Sequence, residues 1–198
     1  RVGFMEDAYL TICSIGEGYY TDRRSKFYAF AHHVETVDEC KSIIGEYRKK
    51  YYDARHCCYA YMLGSERQEW RANDDGEPSS TGGKPIMGQI NSNELTDILV
   101  CVIRYYGGVN LGTSGLIEAY RAAAAAAIED AEKIECFQKE ELKFHFTYPM
   151  LNGVMRVVKE MNATIVSQEF DNDCDITLSI RASLAEQLKA KLEKLAFE

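Results

Sequence analysis

The chain has 198 residues, with 23 lysines and arginines against 31 aspartates and glutamates, and a formal net charge of −8 at pH 7. With 46% hydrophobic and 27% charged residues, the composition is that of a soluble globular protein of one large or two small domains. The acidity argues against a general binder of nucleic acid or membrane surfaces, which needs a net positive field, but it leaves room for a local basic patch.

Apolar runs and cysteines disfavour the membrane and secreted classes. The longest apolar runs, residues 98–103 and 122–128, are far shorter than the roughly 20 residues that span a bilayer. The first residues lack the apolar core of a signal peptide. The seven cysteines are odd in number, scattered and without a Cys-x-x-Cys pair. We therefore expect reduced thiols, a cytoplasmic location, no metal site and no cofactor.

The first third of the chain predicts strands around one helix. Alternating or aromatic-rich stretches predict strands over residues 8–12, 25–34 and 56–63. Gly16-Glu17-Gly18 predicts a turn. Thr36 and Glu39 form a capping box, in which each side chain satisfies a free amide at the start of a helix. Apolar residues then recur at helical spacing over residues 37–51.

The amino-acid composition changes in the middle of the chain. Residues 64–93 are polar, glycine-rich and contain two of the three prolines, so they predict a loop of unusual length. Long loops within compact domains are typically functional or mobile. The apolar run over residues 98–106 predicts a strand buried on both faces. A glycine-rich turn then leads to a helix predicted over residues 116–133, whose six consecutive alanines allow close packing on a sheet.

A composition shift after residue 137 predicts a second domain. Its order is strand, helix, strand, strand, helix, which is the ferredoxin-like pattern without its last strand. Pro149 stands in the first turn of the first helix, and Ser183 with Glu186 forms a capping box before the second. The predicted strands span residues 142–148, 164–170 and 175–180.

We therefore predict two α+β domains, residues 1–137 and residues 138–198. The first has 15 basic against 21 acidic residues and a net charge of −6, and the second has 8 against 10 and a net charge of −2. Neither domain is basic, so the acidity is shared along the chain.

The loop over residues 74–85 is the most unusual segment, because it combines three carboxylates, three hydroxyls and a lysine with turn residues. One interpretation is a binding loop, with carboxylates for a cation or amine, and hydroxyls plus Lys84 for an anion. The other is a structural loop whose Asp and Ser side chains bind local amides. Both stay open. A magnesium site is the weaker idea, because no phosphate-bearing substrate is identifiable.

Residues 104–115 combine a strand end, a glycine turn and a helix start. Such geometry can hold a phosphate with backbone amides, here those of Thr113 and Ser114. The glycines match neither a dinucleotide fingerprint nor a P-loop. We favour the interpretation that Gly107 and Gly108 permit a tight turn and close packing. At His56-Cys57-Cys58, likewise, no fourth ligand is in view, and we favour buried thiols over metal or catalysis.

Four sequence blocks resemble the signatures of the YigZ/IMPACT family. They are Arg24-Ser25-Lys26-Phe27-x-Ala29, His56-x-Cys58-x-Ala60-Tyr61, DDGEPSSTGGKPI at residues 74–86 and RYYGGVNLGTSGLIEAY at residues 104–120. The resemblance implies an N-terminal domain of the ribosomal protein S5 domain 2 type and a ferredoxin-like second domain, a pair similar to domains IV and V of elongation factor G. Eukaryotic IMPACT members are translational regulators that act through a partner of a stress kinase. No reaction is established for bacterial members, for which nucleic-acid or ribosome binding is the usual inference.

Two positions depart from the family pattern. Asn110 stands where a lysine is common, and Glu118 stands where an arginine is common. Both differences remove positive charge near the glycine turn. Any contact with RNA should therefore be small and local, or be made to protein instead.

We rank first a non-enzymatic regulator or accessory factor of translation that binds the ribosome, RNA or a translation protein. An interaction scaffold with purely structural signature loops ranks second, and a hydrolase-type enzyme using the acidic loop with His56 ranks last. We expect no DNA-specific and no membrane contact, and a homo-oligomer stays open. No catalytic residue is assigned. The candidate binding residues are Arg24, Lys26, His56, Asp74, Asp75, Glu77, Ser79, Thr81, Lys84, Arg104, Gly107, Gly108, Thr113, Ser114 and Arg121.

Overall fold

A computed structural model describes residues 7–197, which form a mixed α/β fold, as the sequence predicts. The strands are β1 (Ala8–Ile12), β2 (Gly16–Asp22), β3 (Ser25–His33), β4 (His56–Leu63), β5 (Glu69–Asn73), β6 (Ile98–Tyr105), β7 (Lys133–Phe137), β8 (Lys139–Phe146), β9 (Thr164–Phe170) and β10 (Cys174–Arg181). The α-helices are α1 (Val37–Lys50), α2 (Gly83–Ser92), α3 (Gly112–Asp130), α4 (Leu151–Glu160) and α5 (Ala185–Lys194). Short 3-10 helices span Tyr148–Met150, Ala182–Leu184 and Leu195–Phe197.

Contacts divide the described chain into two compact units. The larger unit comprises Tyr9–Cys136. Its main sheet has the order β2-β3-β6-β4-β5, and all neighbouring strands run antiparallel. Helices α2 and α3 pack on one face of this sheet and α1 packs on the other. Strand β6 at the centre is therefore buried on both faces, which confirms the prediction from its continuous apolar run.

Strand β2 lies directly against α3, and this contact explains a wrong prediction. Gly16 and Gly18, interpreted from the sequence as a turn, belong to the strand. A Cβ atom on Gly16 would lie 2.0 Å from the carbonyl oxygen of Ala127, and one on Gly18 would lie 2.5 Å from the amide nitrogen of Ala127. The glycines are needed because the strand and the alanine-rich helix approach too closely for a side chain.

The long loop predicted over residues 64–93 is also wrong, because this segment contains β5 and α2. Strand β5 is an edge strand whose residues are mostly exposed, so no alternating pattern marks it in the sequence. Helix α2 carries Pro85 in its first turn, where a proline costs no helical hydrogen bond. The helix buries Ile86 and Ile90 against the sheet.

The predicted start of α1 is confirmed, because the hydroxyl of Thr36 accepts a hydrogen bond from the Glu39 amide at 3.1 Å. The Glu39 carboxylate accepts from the amide of Glu35 at 3.1 Å, one residue before the position that a capping box predicts. The box at Ser183 is wrong, because residues 182–184 form a 3-10 helix and no side chain caps α5. The Ser183 amide instead donates to the carboxylate of Asp7 at 3.0 Å.

The smaller unit joins Asp7 and Ala8 to residues 137–197. Its antiparallel sheet has the order β8-β10-β9, and α4 and α5 bury its apolar side chains. The Arg181 guanidinium donates to both carboxylate oxygens of Asp7, at 3.2 and 3.0 Å. These bonds hold the pKa of Asp7 down at about 2.

No α-helix within residues 7–197 is both long enough and apolar enough to cross a membrane. The seven cysteines all lie in the described part of the chain, and none of them forms a disulfide bond there. Burial raises the pKa of the Cys40 thiol to about 12.

Candidate functional site

Three of the four signature blocks meet at the side chain of Glu77, which is 3% exposed. Its Oε1 atom accepts hydrogen bonds from Nη1 of Arg104 and from the hydroxyl of Tyr120, both at 2.6 Å. Its Oε2 atom lies 3.7 Å from Nε2 of His56. The block that begins at His56, the acidic block at residues 74–86 and the block at residues 104–120 therefore share one polar network.

Arg104 brings the remaining block into this network. Strands β3 and β6 place it opposite Phe27, with the guanidinium carbon 5.6 Å from the centre of the Phe27 ring. Its Nη2 atom lies 3.5 Å from the Ser25 hydroxyl, which accepts a further hydrogen bond from the Gly107 amide at 3.2 Å. The Arg104 Nε atom is buried and has no hydrogen-bond partner within residues 7–197.

Tyr120 is fixed by packing as well as by its hydrogen bond. It lies on α3, and its ring meets the ring of Phe27 edge-on, with centroids 5.1 Å apart. Burial, with Cys58 and Glu77 close by, raises the pKa of the Tyr120 hydroxyl. The hydroxyl therefore stays protonated and acts as a donor to Glu77.

His56 has a defined tautomer. Its Nδ1 atom lies 2.7 Å from the carbonyl oxygen of Asp75, and a carbonyl can only accept, so Nδ1 carries a proton. In the neutral ring, Nε2 is then an acceptor on the side of Glu77. The separation of 3.7 Å lies within reach of a water-bridged hydrogen bond, so the distance requirement for acid–base chemistry is met at this carboxylate.

Asp74 and Asp75 are occupied within their own loop and with its neighbours. Asp74 accepts hydrogen bonds from the amides of Ser80, Gly82 and Gly83 at 2.9 to 3.1 Å. Asp75 accepts from the Cys57 amide at 2.7 Å and forms an ion pair with Arg48 at 3.2 Å.

The hydroxyl of Thr81 donates to the Pro78 carbonyl at 2.5 Å. The interpretation of residues 74–85 as a structural loop requires side chains that bond to nearby backbone groups, and the hydrogen bonds of Asp74, Asp75 and Thr81 are of this kind.

A cleft of about 410 Å³ opens beside Glu77. Arg55, His56 and Arg104 line it together with Glu77, and residues 110–113 at the start of α3 form another part of its wall. No side chain caps the first amides of α3, and its first turn contains no acidic residue. The positive end of the helix dipole therefore lies at the cleft. Within the described residues, Glu77 is the one carboxylate in the lining.

The structure thus brings four of the sequence-predicted residues to the cleft: His56, Glu77, Arg104 and Thr113. Gly107 allows close packing, because a Cβ atom there would lie 2.2 Å from the Arg24 backbone. Gly108 has a positive φ of 91°.

The other predicted residues lie elsewhere. Arg121 forms an ion pair with Glu118 at 2.5 Å on the surface of α3. Other exposed candidates outside the lining are Arg24, Lys26, Ser79, Lys84 and Ser114.

The candidate set drawn from the sequence leaves out four contributors: Ser25, Arg55, Tyr106 and Tyr120. A usable signal existed for Tyr120, since it follows Leu116 by one helical turn and so faces the core, where a tyrosine hydroxyl needs a partner. Residues 7–197 contain no group of three or more His, Cys, Asp or Glu side chains arranged to hold a metal ion.

The chain is similar to known proteins in sequence and in structure. The family model described as the Impact N-terminal domain matches residues 23–128. The chain is similar to IMPACT family member YigZ of Escherichia coli (strain K12), with 28% identity over 172 residues that cover 86% of this chain and 84% of the relative. It is similar to IMPACT family member YvyE of Bacillus subtilis (strain 168), with 34% identity over 131 residues, 66% of this chain and 60% of the relative. A crystal structure described as that of a hypothetical protein is 26% identical and aligns with a TM-score of 0.74, covering 96% of this chain and 93% of that one.

Proposed function

Because this chain belongs to the IMPACT family, we propose that it is a non-enzymatic regulator or accessory factor of translation, the role that the resemblance implies for the eukaryotic members. The observation that carries the proposal is the cleft, where Arg55, Arg104 and the amide end of α3 meet one carboxylate. Such an arrangement suits a phosphate group. The proposed partner is RNA, free or within the ribosome.

The contact is proposed to be local because the chain as a whole repels RNA. The net charge is −8, and the carboxylate in the cleft neutralises one of its two arginines. Arg55 is then the one arginine of the cleft left to neutralise a phosphate. A single-stranded RNA would show a salt slope of about −0.7 in log K against log salt, much smaller than that of a basic RNA-binding protein.

Ribosome co-sedimentation and RNA filter binding at about 50 mM and about 200 mM salt test the proposal. Arg55 is exposed and lines the cleft, so Arg55→Gln should weaken binding several-fold without unfolding the chain. Lys41→Gln removes an exposed charge from α1 on the opposite face of the sheet and should leave binding unchanged. Absence of binding at low salt would rule out RNA as the partner and leave a translation protein.

A second candidate is an interaction scaffold, which the self-contained bonding of Asp74, Asp75 and Thr81 favours. Alanine at Glu77 and at Lys84 separates the two ideas, because loss of stability with intact partner binding would support the scaffold. A hydrolase-type enzyme ranks below both, since two donors already hold the Oε1 atom of Glu77.

We also infer an N-terminal domain of the ribosomal protein S5 domain 2 type and a ferredoxin-like domain, meeting near residue 137. The strand order β8-β10-β9, with its central β10, supports the second assignment. The division of the described chain after Cys136 supports the boundary. A cytoplasmic location is proposed because no disulfide bond is present within residues 7–197.

A further inference from the structure

Arg104, a cleft-lining residue that is 5% exposed, has incomplete hydrogen bonding. Its Nη1 atom donates to Glu77 at 2.6 Å, and its Nη2 atom lies 3.5 Å from Ser25. Its Nε atom is buried without an acceptor in the described chain. A buried donor left unpaired costs free energy that a native protein seldom accepts, so the arrangement points to an acceptor brought by a ligand.

The start of α3 supplies a second, independent set of donors at the same place. The helix is 19 residues long, and Gly112 and Thr113 of its first turn line the cleft. Its first amides lack a side-chain cap, and the Thr113 hydroxyl adds a further possible donor. An anion is the ligand that this helix end and the adjacent Arg55 and Arg104 would bind.

Tyr106 adds a flat surface beside these donors. It lines the cleft and is 39% exposed, and its hydroxyl donates to the Asn110 side chain at 3.2 Å, which fixes the ring. The guanidinium carbons of Arg55 and Arg104 lie 4.8 and 5.7 Å from the centre of this ring. An exposed aromatic ring next to cations is a surface on which nucleic-acid bases stack.

We propose that the cleft binds a phosphate monoester joined to a planar base, with the phosphoryl group at the start of α3 and the base on Tyr106. The ligand is a nucleoside monophosphate, either free or as the phosphorylated end of an RNA chain. A cleft of about 410 Å³ is of the size that holds a small ligand. The inference rests on the proposed function in that it gives the same cleft a ligand.

Isothermal titration of the full chain with AMP, UMP, adenosine and inorganic phosphate tests this inference. The two nucleotides should bind with dissociation constants of about 1 mM or tighter, and adenosine should not bind measurably. Tyr106→Leu should weaken nucleotide binding by about fivefold or more and leave phosphate binding unchanged. Arg55→Gln should weaken both, and Lys41→Gln should weaken neither. Thermal melting checks that each variant folds.

The source of the ligand is decided with short RNA oligomers that differ in one group. Tighter binding of a 5′-phosphorylated oligomer than of AMP, with no binding of its 5′-hydroxyl counterpart, assigns an RNA end. Tighter binding of AMP assigns a free nucleotide.

Two results would overturn the inference: no saturable binding of AMP or UMP, or equal binding of adenosine and AMP. Ribosome co-sedimentation without nucleotide binding would overturn this inference alone. Nucleotide binding without any RNA or ribosome contact would overturn the proposed function alone.

Discussion

Arg104 and Glu77 form a buried ion pair, with Nη1 of the arginine 2.6 Å from Oε1 of the glutamate and side chains 6% and 3% exposed. The pair joins the end of β6 to the loop before α2. Removing two charges from water costs about as much as their attraction returns, so such a pair is a weak source of net stability. Each charge nevertheless becomes obligatory once the other is present. The pair therefore specifies how loop and strand meet.

Removal of the carboxylate should be strongly destabilising. In Glu77→Ala, the buried Arg104 charge is left uncompensated and Tyr120 loses its acceptor. We expect a loss of about 3 to 5 kcal/mol in the free energy of unfolding, measured by urea titration. Glu77→Gln keeps the shape of the side chain but removes its charge, and it should still lose a substantial part of this free energy of unfolding.

The matched control is Glu46→Gln, which changes an exposed glutamate on α1 and should alter stability by less than about 0.5 kcal/mol. Equal stability of Glu77→Gln and the unmodified chain would show that the charge of Glu77 is dispensable and that the ion pair does not specify how loop and strand meet.

The Tyr120 hydroxyl should contribute measurably to the free energy of unfolding through its hydrogen bond to the same carboxylate. Tyr120→Phe keeps the edge-on contact with Phe27 and removes the hydroxyl that donates to Glu77. A hydrogen bond to a charged group predicts a loss of about 2 kcal/mol. Tyr52→Phe, at a ring that is 83% exposed, should be neutral.

A double-mutant cycle checks that the two groups act together. The combined loss in Tyr120→Phe with Glu77→Gln should be smaller than the sum of the single losses, because one bond is removed by either change. Additive losses would place the effect of Tyr120 in packing instead.

The patterns that sequence reasoning could use are local ones. The capping box at Thr36 and the buried strand before Arg104 each express their structure within one segment of the chain. The partners of Glu77 lie 27 and 43 residues away, so its role depends on the fold and not on spacing. The acidic loop could be noticed for its composition. Which of its carboxylates bonds within the loop and which faces the cleft is decided by tertiary contacts.

Gly16 and Gly18 are a second case in which a tertiary contact decides the structure. In the sequence they resemble a turn, because glycine has two uses, conformational freedom and close approach of two backbones. The alanine run of α3, more than 100 residues later, is the other half of that contact. The glycines alone predict a turn. The glycines together with the alanine run predict a strand packed closely on a helix.

Close approach makes a sharp prediction for a pair of glycine variants. In Gly18→Ala, the added Cβ atom would lie 2.6 Å from the Ala123 carbonyl oxygen, so β2 and α3 must separate. We expect a loss of at least about 1 to 3 kcal/mol in the free energy of unfolding.

Gly45 lies within α1 with nothing within 4 Å of an added Cβ atom, so Gly45→Ala should stabilise the chain by about 0.5 to 1 kcal/mol. The same chemical change thus has opposite signs at the two positions, as urea titration would measure. A neutral Gly18→Ala would contradict the packing of β2 on α3.

The Asp7–Arg181 pair predicts a specific dependence of stability on pH. Hydrogen bonds from Arg181 hold the pKa of Asp7 at about 2, below its ordinary value of 3.8. A lowered carboxyl pKa means that the unfolded chain takes up the proton first as the solution is acidified. The stabilisation is therefore complete above the unfolded pKa and is lost as the pH falls towards 2.

Asp7→Asn removes this titration, so the variant should be less stable than the unmodified chain at neutral pH. The difference in urea midpoint between the variant and the unmodified chain should narrow as the pH falls from about 5 to about 2, because Asp7 itself becomes neutral there. Urea titrations across this range, followed by circular dichroism, measure the difference. A difference that stays constant down to pH 2 would mean that the carboxylate acts through shape and not through charge.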